Sequence, residues 1–359
     1  MTPAIRKALL GLHRWGALLF ALPAIAIALS GAMLVIRPEA AGRLGPMDAP
    51  AGAWERAAAA ARKADPGAGS VEIAPRGDRI DVMLDGKWGR TLEVDPRDGR
   101  VLADERARPM AFAFLFRLHT RFLAGPWAEW VAVLAGLVLL VSAVTGIALA
   151  WPVNARAWKF VLRLRARDGW RAFATDLHRV LGMAAMPLLA LNAITGLVLV
   201  FAGPVSSLVT AIASPAAAPA VPAAVSAPCS PCTLDALAAH AESLVPGARA
   251  VRVVAKSPED PVLVRLRRTG DNETQGMHRV WLDSASGQVT RLVPLEHAQA
   301  GAAVFDWIYP LHTGRWFGIA WCVALALAGG VPLVAFATGL ALWTARRRRP
   351  GRRPGPDGG

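Results

Sequence analysis

The sequence predicts an α-helical membrane protein, with four transmembrane helices in two repeats and a small α+β module in the long segment of each repeat. Three observations lead there. Apolar residues fill 54% of the 359 positions, more than a soluble chain of this length carries. They concentrate in four runs, roughly 15–36, 127–151, 180–201 and 316–343, each long enough to cross a bilayer core that needs about 20 helical residues. Two motifs also occur twice in the same order, the mark of an internal repeat. Finally, the positive charge gathers in short segments between the runs, as in a multi-pass protein.

The first motif is GLHRWGALLFALPAIAIALSG at 11–31 and DLHRVLGMAAMPLLALNAITG at 176–196. Seventeen residues separate His13 from Ser30 and His178 from Thr195. The second is RLHTRFLAGPWAEW at 117–130 and PLHTGRWFGIAW at 310–321. It carries His119 and His312, each 26 residues before a Thr-Gly pair, Thr145-Gly146 and Thr338-Gly339. The chain therefore reads as A-B then A′-B′, with a His at the entrance of each of four membrane helices.

In order, 1–36 is an anchor and first membrane helix. Arg6 and Lys7 precede its apolar stretch, but that stretch outruns a signal h-region and meets Arg37 and Pro38 without a small-residue cleavage site, so it is expected to be retained. Segment 37–117 is an α+β module. The helix former WERAAAAARK at 54–63 is followed by SVEIAP, RIDVMLDG and RTLEVDPRDGRVLAD, which alternate apolar and polar residues and read as three antiparallel strands. Segment 118–151 is the second membrane helix, 152–176 a basic loop and 177–202 the third helix.

Segment 203–310 holds an Ala/Pro/Ser-rich flexible linker over 203–227 and a second module. That module has a helix at 234–244 and strands in ARAVRVVAKS, PVLVRLRRTG and HRVWLDSASGQVTRLV. Its turn at 283–289 matches that at 95–101, with Gly287 and Gly99 supplying a positive φ. The fourth membrane helix is 311–344, and the Arg/Pro/Gly tail 345–359 is expected to be disordered.

The formal net charge of +14 suggests nucleic acid, but its placement argues for lipid. Arg6, Lys7 and Arg14, the arginines between Arg156 and Arg179, and those from Arg346 to Arg353 flank membrane runs on what is one side if the helices alternate. The positive-inside rule makes that side cytoplasmic, with both termini there and both modules outside. Trp occurs 13 times against one Tyr, and Trp15, Trp127, Trp130, Trp151, Trp316 and Trp343 fall near helix ends as an interfacial belt.

Two helix-plus-strand modules with a D-x-x-x-G-x-V turn, interleaved with helices carrying LHRW, LHT, LHRV and LHTGRWFG, resemble the PepSY-associated transmembrane family over about 5–345. That family includes bacterial iron-regulated inner-membrane proteins and ferric-siderophore reductases. The resemblance implies a bacterial inner-membrane location, periplasmic PepSY modules and, for reductase members, haem b held by membrane histidines.

A lone His near a helix end commonly snorkels to the interface. Four at equivalent places, among seven in the chain, suggest function, because ionisable groups in a membrane are costly. Topology pairs His13 with His178 on the cytoplasmic side and His119 with His312 on the other. Two bis-His b haems, one per leaflet, are the simplest reading with the family in view. Zinc is the rival, but no Cys, Asp or Glu is spaced to complete its tetrahedron. One haem cannot reach both layers, since 18 residues of helix from His178 to Gly196 span about 27 Å.

The Ser/Thr-Gly pairs (Ser30-Gly31, Thr145-Gly146, Thr195-Gly196, Thr338-Gly339) read as close helix packing, with room for a flat porphyrin as the second reading. Arg14, Arg179 and Arg315 are lipid anchors or partners of haem propionates. Pro23, Pro187 and Pro332 should bend their helices. Cys229 and Cys232 are a structural disulfide or a redox pair, and Cys322 is a buried small residue. Nothing in the sequence pairs His240, His278 or His297.

The chain has no dinucleotide fingerprint, P-loop, nucleophile elbow or H-E-x-x-H motif. Electrons are thus expected from a cytoplasmic flavoprotein reductase or a quinol, and the family resemblance implies a ferric-siderophore as acceptor. The competing expectation is a non-redox anchor whose PepSY modules bind or restrain a partner.

Overall fold

The computed structural model describes residues 1–36, 49–85, 90–104, 111–152, 154, 157–213, 229, 232–257, 259–269, 271, 276–295 and 300–347. In chain order the elements are α1 (Pro3–Val35), α2 (Ala53–Ala64), β1 (Val71–Arg76), β2 (Arg79–Leu84), β3 (Thr91–Val94), β4 (Val101–Asp104), α3 (Ala111–Arg121), α4 (Glu129–Ala150), α5 (Trp158–Val161), α6 (Trp170–Val200), α7 (Ala202–Ile212), α8 (Leu234–Leu244), β5 (Ala248–Ala255), β6 (Val262–Arg268), β7 (His278–Leu282), β8 (Val289–Val293), α9 (Ala300–Thr313) and α10 (Gly318–Arg347). They form two units. One comprises Met1–Met33, Arg117–Leu197 and Val323–Gly359, the other Leu34–Phe116 and Val198–Cys322.

The first unit is a helical bundle. Helices α1, α4 with the 3-10 turn at Pro126–Ala128, α6 and α10 supply four segments long and apolar enough to cross a membrane. Their large apolar side chains point outward, with Leu19, Leu22 and Leu327 more than 70% exposed. The buried positions are small, among them Ala24, Ser30, Ala135, Ala143, Thr145, Ala185, Ala193, Thr195 and Ala328. That inversion suits lipid, where small residues let backbones approach. On α10 a Cβ at Gly329 would stand 2.7 Å from the Ala28 carbonyl of α1, so only glycine permits that crossing. Ala185 and Leu189 of α6 pack on Ala328 and Val331 of α10. Helix α1 is interrupted at Phe20 (φ −114°, ψ 16°), three residues before Pro23, whose ring clashes one turn back and whose nitrogen donates nothing.

Helices α1 and α6 start well before the expected spans, so His13 and His178 lie inside them rather than at their entrances. His119 and His312 sit instead near the ends of the separate helices α3 and α9. Positive φ at Phe122, Leu123 and Gly125 separates α3 from α4, and at Gly314 and Gly318 separates α9 from α10.

The second unit holds one antiparallel sheet of eight strands in the order β4-β3-β2-β1-β5-β6-β7-β8. Each module was expected to have three strands on a sheet of its own. It has four, because the predicted turns at Gly99 (φ 78°) and Gly287 (φ 68°) fold the last expected strand of each module back on itself. The two sheets then join where β1 pairs with β5, Ile73 opposite Val253. Helices α2 and α8 cover one face, and Trp54, Ile73, Val82, Leu92, Leu237, Val264, Leu266 and Val280 are among the residues that fill the core between them.

The helices meet through a reciprocal cap. Asp235 Oδ2 accepts the Glu55 backbone N–H of α2 at 2.8 Å, and Glu55 Oε2 accepts the Leu234 N–H of α8 at 3.1 Å. Cys229 and Cys232 are disulfide-bonded beside α8. Helix α7 occupies the start of the expected linker and packs on α9, where the Gly301 N–H donates to Thr210 Oγ1 at 3.2 Å. The remainder of that linker, 214–227, and the tail beyond Arg347 lie outside the described residues.

Candidate functional site: three histidines seated on hydroxyl-glycine pairs

Each Ser/Thr-Gly pair begins as a local helix feature. A hydroxyl inside a helix donates to the carbonyl one turn back. Ser30 donates to Ala26 O at 2.6 Å, Thr145 to Val141 O at 2.6 Å, Thr195 to Leu191 O at 2.8 Å and Thr338 to Val334 O at 2.8 Å. With its proton committed, each hydroxyl oxygen turns a lone pair outward beside the carbonyl three residues earlier. The following glycine leaves the helix surface flat there.

Histidines from other helices fill three of these places. His13 Nδ1 lies 3.1 Å from Ser142 O and 3.0 Å from Thr145 Oγ1. His178 Nδ1 lies 2.9 Å from Ala335 O and 3.2 Å from Thr338 Oγ1. His119 Nδ1 lies 2.9 Å from Ile27 O and 3.3 Å from Ser30 Oγ. A carbonyl only accepts, so Nδ1 carries the proton in all three and donates. The neutral ring then bears its lone pair on Nε2, the tautomer of a metal-binding histidine whose other nitrogen is held by a carbonyl. The imidazoles rest on the glycines. A Cβ would stand 2.9 Å from His119 Cε1 at Gly31, 3.3 Å from His13 Cε1 at Gly146 and 3.4 Å from His178 Cε1 at Gly339. Both readings of these pairs concerned the helix surface alone, and neither included a histidine as the guest.

The structure brings His13 and His178 together, with ring centres 6.2 Å apart and planes at 89°. Two adjacent imidazoles, each held by Nδ1 with Nε2 left to donate, are a donor set that could hold the haem iron that the family resemblance implies. Among the described residues no three His, Cys, Asp or Glu side chains gather to hold a metal ion, so the fuller ligand set of a structural zinc does not occur there. His312, near the end of α9, belongs to the other unit.

The three arginines have different surroundings. Arg14 lies over the Trp15 ring at 5.0 Å and Arg315 over the Tyr309 ring at 5.4 Å. Arg179 donates to Val161 O, Phe160 O and Arg163 O and to Asp176 Oδ1 at 2.8 Å. Asp176 is fully buried and also takes the Arg165 guanidinium through both oxygens, 2.8 and 3.1 Å, with the Arg165 backbone N–H at 3.0 Å. This knot holds the loop before α6 two residues from His178. Arg165 was read in the sequence only as one more charge of a basic loop. His278, for which the sequence offered no partner, accepts the Leu295 N–H on Nδ1 and faces Asp271 with Nε2 at 3.4 Å. His297 lies outside the described residues.

Residues 10–346 match the family model described as the PepSY-associated TM region. No curated protein matches the chain.

Proposed function

Because the chain belongs to the PepSY-associated TM family, we propose that it is a haem b protein of the bacterial inner membrane that moves electrons from the cytoplasmic side to a periplasmic ferric chelate such as a siderophore complex. The observation that carries this reading is the His13–His178 pair, two rings each held by Nδ1 with their centres 6.2 Å apart. His119 and His312 are the proposed second pair, in the opposite leaflet, and would hold a second haem, with the two halves acting as repeats. Haem, when bound, supplies a one-electron couple.

The chain's own work is to position and exclude. Carbonyls and hydroxyls of α4 and α10 fix the ring orientations and keep Nε2 unprotonated. The apolar helices keep water from the ligand layer. Arg14 and Arg315 are the candidates for haem propionates, whereas Arg179 serves the Asp176 knot. The donor is a cytoplasmic flavoprotein reductase or a quinol. Each electron delivered converts Fe(III) in the chelate to Fe(II), which hard oxygen donors hold less tightly.

Purified protein should show a b-type spectrum reducible by dithionite. His13→Ala or His178→Ala should remove one haem, and His119→Ala or His312→Ala the other. Unchanged haem per chain in all four variants would refute the ligand assignment. Colourless protein from haem-sufficient cells would leave the anchored, non-redox module as the better reading.

A further inference from the structure

The two halves of the sheet carry opposite charge. Strands β1–β4 contain two arginines, Arg76 and Arg79, with Glu72, Asp81, Glu93 and Asp104. Strands β5–β8 contain seven arginines and no carboxylate. The alternation that turns Val264 and Leu266 into the core turns Arg265 and Arg267 to the face away from α2 and α8. Strand register then lines them up. Arg252 lies opposite Arg265, Arg265 opposite Arg279, Arg249 opposite Arg267, and Trp281 opposite Arg291.

Arginine thus stands opposite arginine across three adjacent strands, a concentration of positive charge that attracts anions. Several of these arginines are also engaged within the chain. Glu72 on β1 engages Arg252, and Glu242 on α8 engages Arg249 at 3.1 Å. Arg265 Nε donates to Gly276 O at 2.8 Å, Arg267 to Asp271 O at 3.1 Å, and Arg291 lies over the Trp281 ring at 5.0 Å.

We propose that this face of β5–β8 binds a multiply anionic ferric chelate, one whose iron is wrapped by catecholate or carboxylate oxygens, with Arg265, Arg279 and Arg291 on those oxygens and the organic rim against Trp281. That the ligand is an iron chelate rests on the function proposed above. The anionic class rests on the arginine rows. Guanidinium forks suit the paired oxygens of such ligands. Three strands set the forks about 10 Å from edge to edge, small-molecule dimensions. Arg265, Arg267, Arg279 and Trp281 are only partly exposed, and two of the arginines are fixed by carbonyls. A rigid small anion fits such a surface better than a fluid layer of lipid headgroups, which recruits mobile, fully exposed cations.

The test uses full-length protein in neutral-lipid nanodiscs and calorimetric titration with gallium(III) complexes, which are not reduced. A hexadentate tricatecholate complex, trianionic, should bind, and a neutral trihydroxamate complex should bind at least about tenfold more weakly. Arg265→Gln with Arg279→Gln should weaken the anionic complex by about tenfold or more, and Arg79→Gln on β2 should leave it unchanged. If the double variant does not fold, Arg291→Gln alone must lower the affinity. Equal binding of both complexes, or full affinity in the glutamine variants, overturns the proposal. So does loss of chelate binding when the nanodiscs are made anionic, which assigns the face to lipid. The readout needs no haem. Arginine-dependent binding by a colourless protein would refute the redox function and leave this face standing, and a coloured, reducing protein with glutamine-insensitive binding would do the reverse.

Discussion

At Gly31 a methyl group would meet His119 Cε1 at 2.9 Å, close enough that the ring must shift, whereas at Gly339 the equivalent contact to His178 is an ordinary 3.4 Å. A graded series follows. Gly31→Ala should displace His119 and lower the haem that it is proposed to hold. Gly146→Ala, at 3.3 Å from His13, should cause a smaller loss, and Gly339→Ala should be nearly silent. Gly182→Ala, with nothing within 4 Å, is the control, and its helix should gain by up to about 1 kcal/mol. Haem per chain and melting temperature, measured together, check the order; equal losses at Gly31 and Gly182 would show that the glycines do not seat histidines. The sequence made the His and Ser/Thr-Gly residues conspicuous by repeating them. It could not show which His meets which hydroxyl, because each contact joins different helices: His13 reaches Thr145 and His119 reaches Ser30.

Among the elements, α2 and α8 depend on each other's first turns. Backbone N–H groups at a helix start lack intrahelical partners, and α2 has no side-chain cap of its own at Gly52, so the Asp235 carboxylate satisfies its Glu55 N–H from another helix. Asp235→Ala should leave that donor unsatisfied at a cost of about 1–2 kcal/mol. In hydrogen exchange this appears as faster opening of the peptide containing residues 53–58, by roughly tenfold, with the β6–β7 peptide unchanged.

Glu55 adds a pH dependence. Burial pushes its carboxyl up, but the Arg62 guanidinium and the Leu234 N–H outweigh it and hold the group below its ordinary value of 4.5. A depressed acid stabilises the fold above its unfolded value, so the clasp should be intact above about pH 4.5 and loosen as pH falls through the lowered value. Exchange corrected for intrinsic rates, compared at pH 6 and pH 3, should show the loss in wild type and little further change in Glu55→Gln. Local pattern was enough to place α2, α8 and the positive-φ turns. Joining the two modules into one sheet was not legible, because β1 and β5 lie some 180 residues apart and pair along an edge whose sequence looks like any other half-buried strand. The α3–α4 break was hidden similarly: Phe122 and Leu123 adopt positive φ, a conformation apolar residues seldom announce.

On the scale of the molecule, hydropathy made the four membrane segments plain, and the charge between them predicts how the chain is threaded. Lys159, Arg163, Arg165, Arg167 and Arg171 fall between the end of α4 and the first turn of α6, within the short range over which basic residues are retained in the cytoplasm. Arg165 is drawn into the Asp176 knot in the folded state, but retention is decided during insertion, before that pair exists, so it still counts. Both termini should then lie with this loop in the cytoplasm, and the strands on the far side. Reporter fusions after Arg167 and after Arg353 should give cytoplasmic signals, and fusions after Asp98 or Asp271 periplasmic ones. The proposed order of His layers depends on the same threading, with His13 and His178 expected near the donor side and His119 and His312 near the acceptor. A periplasmic signal from the Arg167 fusion would invert both layers, and a protein so oriented could not take electrons from a cytoplasmic reductase through the His13–His178 pair.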